Sequence, residues 1–131
     1  ETPGGNCFRA GYNGPERIRP VNMCLEPGNR DLDGLIADMG EGLLITDIQG
    51  LHAGISPISG DFSLSSKGFF VKNGRIESPL ERFTIAGNIL KLLTQIRATG
   101  TDVRQGFHME YGIFTPSVLT APIDVAGGKE K

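Results

Sequence analysis

Apolar residues recur at three- and four-residue spacing in two parts of the chain, and this spacing predicts two helices. The first helix is expected over about 31–40, with Asn29 or Asp31 as its cap and Gly40 near its end. The second helix is expected over about 85–98 and is followed by Gly100. Its apolar positions are Ile85, Ile89, Leu92, Leu93 and Ile96.

Shorter apolar runs between turn residues predict strands. Extended segments are expected over 17–25, 43–48, 61–64 and 68–72. Pro20 predicts an edge position or a bulge in the first of them, and Pro122 predicts a break in a final strand pair over 117–127. The dipeptide Asn73-Gly74 predicts a type I′ hairpin, because both residues take positive φ at low cost.

A hairpin and short strands favour antiparallel pairing. The predicted fold class is therefore α+β, with a mostly antiparallel, curved or barrel-like β-sheet and two short-to-medium helices. A length of 131 residues suits one domain. Residues 1–15 are rich in Gly, Pro and Asn and resemble an irregular linker, which leaves 16–131 as the domain. The chain starts at Glu1 and not at Met, so we interpret it as a fragment of a longer protein.

The charge pattern excludes some partners. The net charge is −2, and the 13 basic residues are scattered, so direct nucleic-acid binding is disfavoured. The longest apolar stretches are far too short to span a membrane. Cys7 and Cys24 form no motif. Free thiols in the cytoplasm are expected for them, with a disulfide as the alternative.

Motifs for hydrolytic chemistry are incomplete in this chain. His52 and His108 are its two histidines, and they lie in different segments without the spacing of a zinc-binding helix. Ser56 lacks the second glycine of a nucleophile elbow. Asp61 follows Gly60 at the start of a predicted strand, where it either binds a ligand or satisfies turn N–H groups; the second role is the commoner one.

Short motifs in a fixed order carry a resemblance over 19–127. They are Arg19, Asn22, Pro27-Gly28, Gly42-Leu43, Gly50-Leu51-His52, Gly60-Asp61-Phe62-Ser63, Gly68, Asn73-Gly74, Thr84-Ile85-Ala86-Gly87-Asn88, Gly100-Thr101-Asp102, Pro116-Ser117 and Val125-Ala126-Gly127. Together they resemble the C-terminal half of the TldD/PmbA family, also called modulators of DNA gyrase. The Gly-Asp-Phe-Ser and Thr-Ile-Ala-Gly-Asn pieces are the most specific.

The resemblance implies a function. TldD members of this family resemble zinc peptidases that act on unfolded or leader peptides, with two His from a helix in the N-terminal half and a Cys near the C-terminus. PmbA members, also called TldE, lack those ligands and pair with TldD. Here no Cys lies between Gly100 and Pro116, where the ligand is expected. His108 lies there instead, but a His in place of the Cys would need a different distance between the backbone and the metal.

The resemblance therefore favours the non-catalytic C-terminal domain of a PmbA/TldE-like subunit. It implies no catalytic, cofactor or metal residue in this chain, and zinc only in a TldD-like partner. Two alternatives stay open: the C-terminal half of an active TldD-type metallopeptidase, and a stand-alone small-molecule-binding β domain. The candidate substrate or interface residues are Arg19, Asn22, Asp61, Ser63 and Asn88.

The expected partners are a TldD-like peptidase subunit, a second copy of the chain, or a peptide held at a strand edge. Nucleic acid and membrane are not expected partners. If an N-terminal part packs on this domain in the parent protein, its absence should expose apolar surface. We therefore expect self-association, or exposure of Phe69, Phe70 or Leu90.

Overall fold

The structure is a computed structural model that describes residues 5–106 and 112–130. Over these ranges the chain alternates short strands with two helices and one long hairpin. The elements in chain order are β1 (Cys7–Arg9), β2 (Glu16–Ile18), β3 (Asn22–Cys24), α1 (Leu32–Met39), β4 (Gly42–Gln49), β5 (Asp61–Lys72), β6 (Arg75–Asn88), α2 (Ile89–Thr94), β7 (Ile96–Thr99), β8 (Arg104–Gly106), β9 (Gly112–Thr115), β10 (Val118–Thr120) and β11 (Asp124–Glu130).

The centre of the fold is an antiparallel sheet with the strand order β11-β6-β5-β4. Its two longest strands, β5 and β6, are joined by a turn of two residues. Asn73 has a φ of 52° and Gly74 a φ of 70°, and Lys72 lies opposite Arg75. Positive φ at both turn positions matches the right-handed twist of the flanking strands. The hairpin predicted from the sequence is confirmed.

One face of this sheet is the hydrophobic core. Phe62 and Leu64 on β5 and Phe83 and Ile85 on β6 are all buried, and Leu64 lies directly opposite Ile85. Burial of side chains of this size contributes about 1.5–3 kcal/mol each. The partly buried side chains packed against them are Leu43, Ile45, Ile55, Leu80, Leu92 and Ile123.

The other face of the two strands is polar, because successive side chains of a strand point to opposite sides. We call it the outer face. It carries exposed positions on β5 and half-buried positions on β6. Its residues are Asp61, Ser63, Ser65, Lys67, Thr84, Ala86 and Asn88.

Helix α1 confirms the first helix prediction. Its cap is Asp31, whose Oδ1 accepts a hydrogen bond from the backbone N–H of Gly34 at 2.8 Å. Leu35 and Ile36 are its buried residues. Gly40 ends the helix with a φ of 70°, and its carbonyl oxygen accepts a hydrogen bond from Gly74 N at 2.7 Å. The end of α1 is thereby fastened to the turn of the central hairpin.

The second helix prediction, over 85–98, is wrong for most of its length. Residues up to Asn88 belong to β6, α2 covers only Ile89–Thr94, and a strand begins again at Ile96. The spacing misled because Ile85 points into the core from a strand and Leu92 points into it from a helix. Pairing with β5 determines the outcome for 84–88, where Gly87 leaves room for the ring of Phe62.

The remaining strands form three smaller sheets, and the described residues form no closed barrel. The predicted extended segment 17–25 is divided at Pro20: β2 pairs with β1, whereas β3 pairs in parallel with β9. The first of these strands, β1, lies within the segment 1–15 that we interpreted as a linker. The two strands predicted at the end of the chain also separate, since β10 pairs with β7 and β11 with β6. The fold class is α+β and mostly antiparallel, as predicted.

Apolar exposure follows the expectation from the sequence. Leu90 on α2 is 66% exposed, while Phe69 and Phe70 are half-buried. The exposure of one of these three groups is therefore confirmed. In the part of the chain that the structure describes, no helix has the length and apolar character needed to cross a membrane.

The turn of the central hairpin gives a first testable prediction. Gly74→Val places a β-branched residue at a φ of 70° and a Cβ atom 3.1 Å from Ala37 Cα. We expect the free energy of unfolding to fall by about 1–3 kcal/mol, measured by urea denaturation. Asn73→Gly is the matched control, because glycine accepts the same backbone conformation. Equal stability of the two variants would contradict the assignment of the turn.

Candidate functional site

The side chain of Asn88 joins three elements at one end of the central sheet. Asn88 is the last residue of β6 and lies opposite Asp61, the first residue of β5. Its Nδ2 donates hydrogen bonds of 2.8 Å to Asp61 Oδ1 and to the carbonyl oxygen of Ser59. Its Oδ1 caps α2 by accepting from the N–H groups of Leu90 and Lys91 at 3.1 and 3.4 Å. We call Ser59, Asp61 and Asn88 the Asn88 cluster.

The electrostatics of this cluster keep Asp61 ionised. Hydrogen bonds from Asn88 and Ser59 lower the pKa of Asp61 and outweigh the opposing effect of burial, and the nearby charge of Lys91 adds a smaller lowering. An ionised carboxylate only accepts hydrogen bonds. Asp61 is therefore suited to holding N–H donors or a cation and is unsuited to donating a proton at neutral pH.

The loop before β5 supports this geometry. Gly60 has a φ of 78°, and a Cβ atom there would lie 3.1 Å from Ile89 Cγ2. The backbone of the loop is closed by hydrogen bonds of 2.8 Å from Gly60 N to Ser56 O and from Ile89 N to Gly60 O. Glycine at position 60 thus lets the loop approach the start of α2 closely.

A shallow groove opens beside the Asn88 cluster, between the end of the sheet and α2. It carries both signs of charge, with two carboxylates and one lysine, next to amide and apolar groups. Its polar lining residues are Asp61, Asn88, Lys91, Gln95 and Asp124. The groove can offer hydrogen bonds and charge complementarity to a polar chain, but it does not enclose a small molecule.

A second polar cluster fastens the ends of β7 and β10. The carboxylate of Asp102 accepts hydrogen bonds from the N–H of Ser117 at 3.0 Å and from its hydroxyl at 2.7 Å. These bonds, with a smaller effect of Arg104 3.7 Å away, lower the pKa of Asp102. Glycine at position 100 leaves room for this carboxylate, since a Cβ atom would lie 2.4 Å from Asp102 Oδ1. This pair was not predicted from the sequence, although Asp102 and Ser117 both belong to motifs that carry the resemblance.

The five candidate residues fall into separate places. Asp61, Ser63 and Asn88 share the outer face of the central sheet. Asn22 begins β3 in another sheet, opposite Gly112. Arg19 follows β2, with its guanidinium carbon 3.4 Å from the ring centroid of Phe8. A role of these residues in binding a substrate or a partner stays a prediction.

Side chains that could bind a metal do not cluster in the described residues. Residues 5–106 and 112–130 contain no group of three or more His, Cys, Asp or Glu side chains that could hold a metal ion. His52 lies exposed in a turn, and Cys7 and Cys24 are free and exposed. His108 lies outside the described residues. The expectation that this chain carries no metal or cofactor therefore stays a prediction.

Comparison with known proteins identifies the family. Residues 1–127 match the family model described as the PmbA/TldA metallopeptidase C-terminal domain. The chain is 36% identical over 93 residues to the metalloprotease PmbA of Escherichia coli O157:H7. The aligned residues make up 71% of this chain and 19% of that protein. The chain therefore belongs to the PmbA/TldD family and corresponds to its C-terminal domain.

Two solved structures share the fold. A protein of Thermotoga maritima, described as a modulator of a DNA gyrase, matches with a TM-score of 0.80 and 43% identity over 95% of this chain and 27% of its own. TldE from Thermococcus kodakarensis matches with a TM-score of 0.77 and 26% identity over 94% of this chain and 27% of its own. The chain thus spans about a fifth to a quarter of the proteins that it matches.

The Asn88 cluster gives a second prediction. Asn88→Ala removes the cap of α2 and the hydrogen bond to Asp61 together, so the free energy of unfolding should fall by about 1–2 kcal/mol. Asn88→Ser keeps an oxygen that can cap the helix. Its free energy of unfolding should therefore lie between those of Asn88→Ala and the natural protein. Urea denaturation at neutral pH measures both. An alanine variant as stable as the natural protein would show that the cluster is not structural.

The Asp102 pair gives a third prediction, on pH. The pKa of Asp102 in the folded state lies below its ordinary value of 3.8, so the pair contributes stability above that pH and loses it as the pH falls through the folded-state pKa. The Asp102→Asn variant lacks this contribution at every pH, because an asparagine side chain does not titrate. We expect the stability difference between natural protein and variant to shrink from about pH 6 to about pH 3, in urea denaturation. A difference that does not change with pH would contradict this.

Proposed function

We propose that this chain is the non-catalytic C-terminal domain of a PmbA/TldE-type subunit, which works with a TldD-like zinc metallopeptidase in the proteolysis of unfolded or leader peptides. The observation that carries the proposal is the stretch 100–116, which has no Cys where the resemblance places the metal ligand of TldD members. The likeness to PmbA and to TldE supports the same branch. Zinc would then be held by the partner subunit.

The central sheet offers a way of holding an extended peptide. Among the described strands, β4 and β11 each pair on one side only, so each presents backbone N–H and C=O groups at an edge. A peptide can add to such an edge through main-chain hydrogen bonds, whatever its sequence. This suits a subunit that receives unfolded chains with different side chains.

The edge of β11 is the better candidate of the two, because it begins beside the groove. Asp124 is the first residue of β11 and also lines the groove with Asp61 and Lys91. A peptide that follows β11 would therefore begin beside a groove with three ionisable groups, two acidic and one basic. The ionised Asp61 can accept hydrogen bonds from a peptide end or from a basic side chain.

The other candidate from the enzyme class is the C-terminal half of an active TldD-type metallopeptidase. The family description covers metallopeptidases in general, so it favours neither branch. The two candidates differ in where the metal is bound. The TldD-type hypothesis requires zinc ligands in the same polypeptide as this domain, whereas the PmbA-type hypothesis requires them in a second protein.

Co-expression of the full parent protein with the TldD-type subunit of the same genome tests the proposal. We expect affinity purification of the parent to retain the TldD-type subunit, and we expect elemental analysis to find zinc only in that subunit. Peptidase activity should then disappear with the histidines of the TldD-type subunit. Zinc bound near one per chain by the parent alone, or no association, would contradict the proposal.

A variant of the outer face tests the peptide contact in the same complex. Ser63→Arg places a long, charged side chain on this face, away from the core. We expect it to raise KM for an unfolded substrate at least about threefold and to leave kcat unchanged, because ground-state binding is lost. Glu41→Arg, at an exposed position between α1 and β4, is the control. Equal KM values for the two variants would exclude the outer face from substrate binding.

A further inference from the structure

The pairing of β5 with β6 is interrupted twice between the hydrophobic core and the turn. One register shift lies between Ser66 and Gly68, and a second lies between Phe70 and Val71. Three pairs of residues lie between the two shifts: Gly68 with Leu80, Phe69 with Pro79 and Phe70 with Ser78. We call these six residues the middle segment of the hairpin.

The residues of the middle segment give its pairing little support. Gly68 has no side chain to pack, and Pro79 has no backbone N–H to donate. Phe69 and Phe70 are half-buried, whereas Phe62 on the core side of the same strand is buried. The middle segment is therefore held less firmly than the part of the hairpin that forms the core.

The first register shift carries backbone strain. Two residues of β6, Glu81 and Arg82, lie there against one residue of β5, Lys67, which makes a β-bulge. Arg82 has a φ of 56°, in the left-handed region that a residue with a side chain seldom adopts within a strand. The neighbouring strand β4 shifts its register at the same level, between Ile45 and Asp47. The distortion thus extends over three strands of the central sheet.

Each register shift also lies beside a buried hydroxyl group. Ser66 precedes the first shift and is fully buried, and Ser78 lies opposite Phe70, next to the second. Within the described residues, neither Oγ atom has a hydrogen-bond partner. A buried hydroxyl without a partner destabilises the closed sheet, because the same hydroxyl can bond to water once the strands separate.

We propose that the middle segment is a hinge in the central sheet, at which residues 71–76, the tip of the hairpin, bend relative to the Asn88 cluster. The tip carries the end of α1 with it, because Gly74 N donates a hydrogen bond to Gly40 O. Opening of the middle segment relieves the strain at Arg82 and hydrates the two hydroxyls, so both features favour bending. The hinge lets α1 move relative to the groove, and it does not depend on the function proposed above.

Hydrogen exchange of the full parent protein, followed by mass spectrometry, tests the hinge. Peptides that cover the middle segment should exchange at least about tenfold faster than those that cover 61–66, because the opening is local. Peptides that cover the tip, residues 71–76, should also stay protected. Fraying from the turn would instead expose the tip first, so a tip that exchanges as fast as the middle segment overturns the inference.

Two variants that remove the causes of opening test the mechanism. Ser66→Ala removes a buried hydroxyl without a partner, and Arg82→Gly relieves the left-handed backbone. Each should slow exchange of the middle segment at least about threefold, because the closed state is stabilised. Exchange over 61–66 should stay unchanged.

Matched variants at neighbouring positions are the controls. Ser65→Ala removes an exposed hydroxyl, and Arg75→Gly places glycine at a strand position without positive φ, so neither should slow exchange of the middle segment. Equal exchange of the middle segment and of 61–66 in the natural protein overturns the inference. So does a Ser66→Ala or Arg82→Gly variant that exchanges as fast as the natural protein or faster, or a control that slows exchange to the same degree.

Discussion

The pairing of β5 with β6 is the constraint on which the rest of the structure depends. Because side chains alternate along a strand, the register that places Leu64 opposite Ile85 also places Asp61 opposite Asn88. A slip by one residue would bring the polar face to the core and expose the apolar face. The same register therefore creates the hydrophobic core and assembles the Asn88 cluster, and two register shifts separate this stretch from the turn at Asn73-Gly74.

Part of this arrangement could be predicted from the sequence, because its signals are local. The Asn73-Gly74 turn and helix α1, with its Asp31 cap, are both encoded within a few residues. The end of β6 could not be predicted, since Ile85 and Leu92 fit a helical spacing and also fit a strand followed by a short helix. Pairing with β5, which lies far away in the sequence, determines which of the two forms.

In the candidate site, too, local motifs predicted the residues but not the contacts between them. Asp61 and Asn88 were chosen from motifs, but their contact spans 27 residues of sequence and depends on the strand register. The contact between Asp102 and Ser117 spans 15 residues and crosses two strands, so no local pattern reveals it. Several residues that carry the family resemblance thus have geometric roles: Gly60 permits a close approach, Asn88 caps a helix, and Gly100 makes room for a carboxylate.

The shortness of the turn at Asn73-Gly74 also bears on how the chain folds. Closing a loop of two residues loses little chain entropy, whereas bringing β11 to β6 closes a loop of more than 30 residues. The β5–β6 hairpin can therefore assemble Phe62, Leu64, Phe83 and Ile85 early, as a template on which β4 and β11 pair later. Until β11 arrives, the β6 edge beside the Asn88 cluster is open to other strands, so the order of folding controls how long the chain is prone to aggregation.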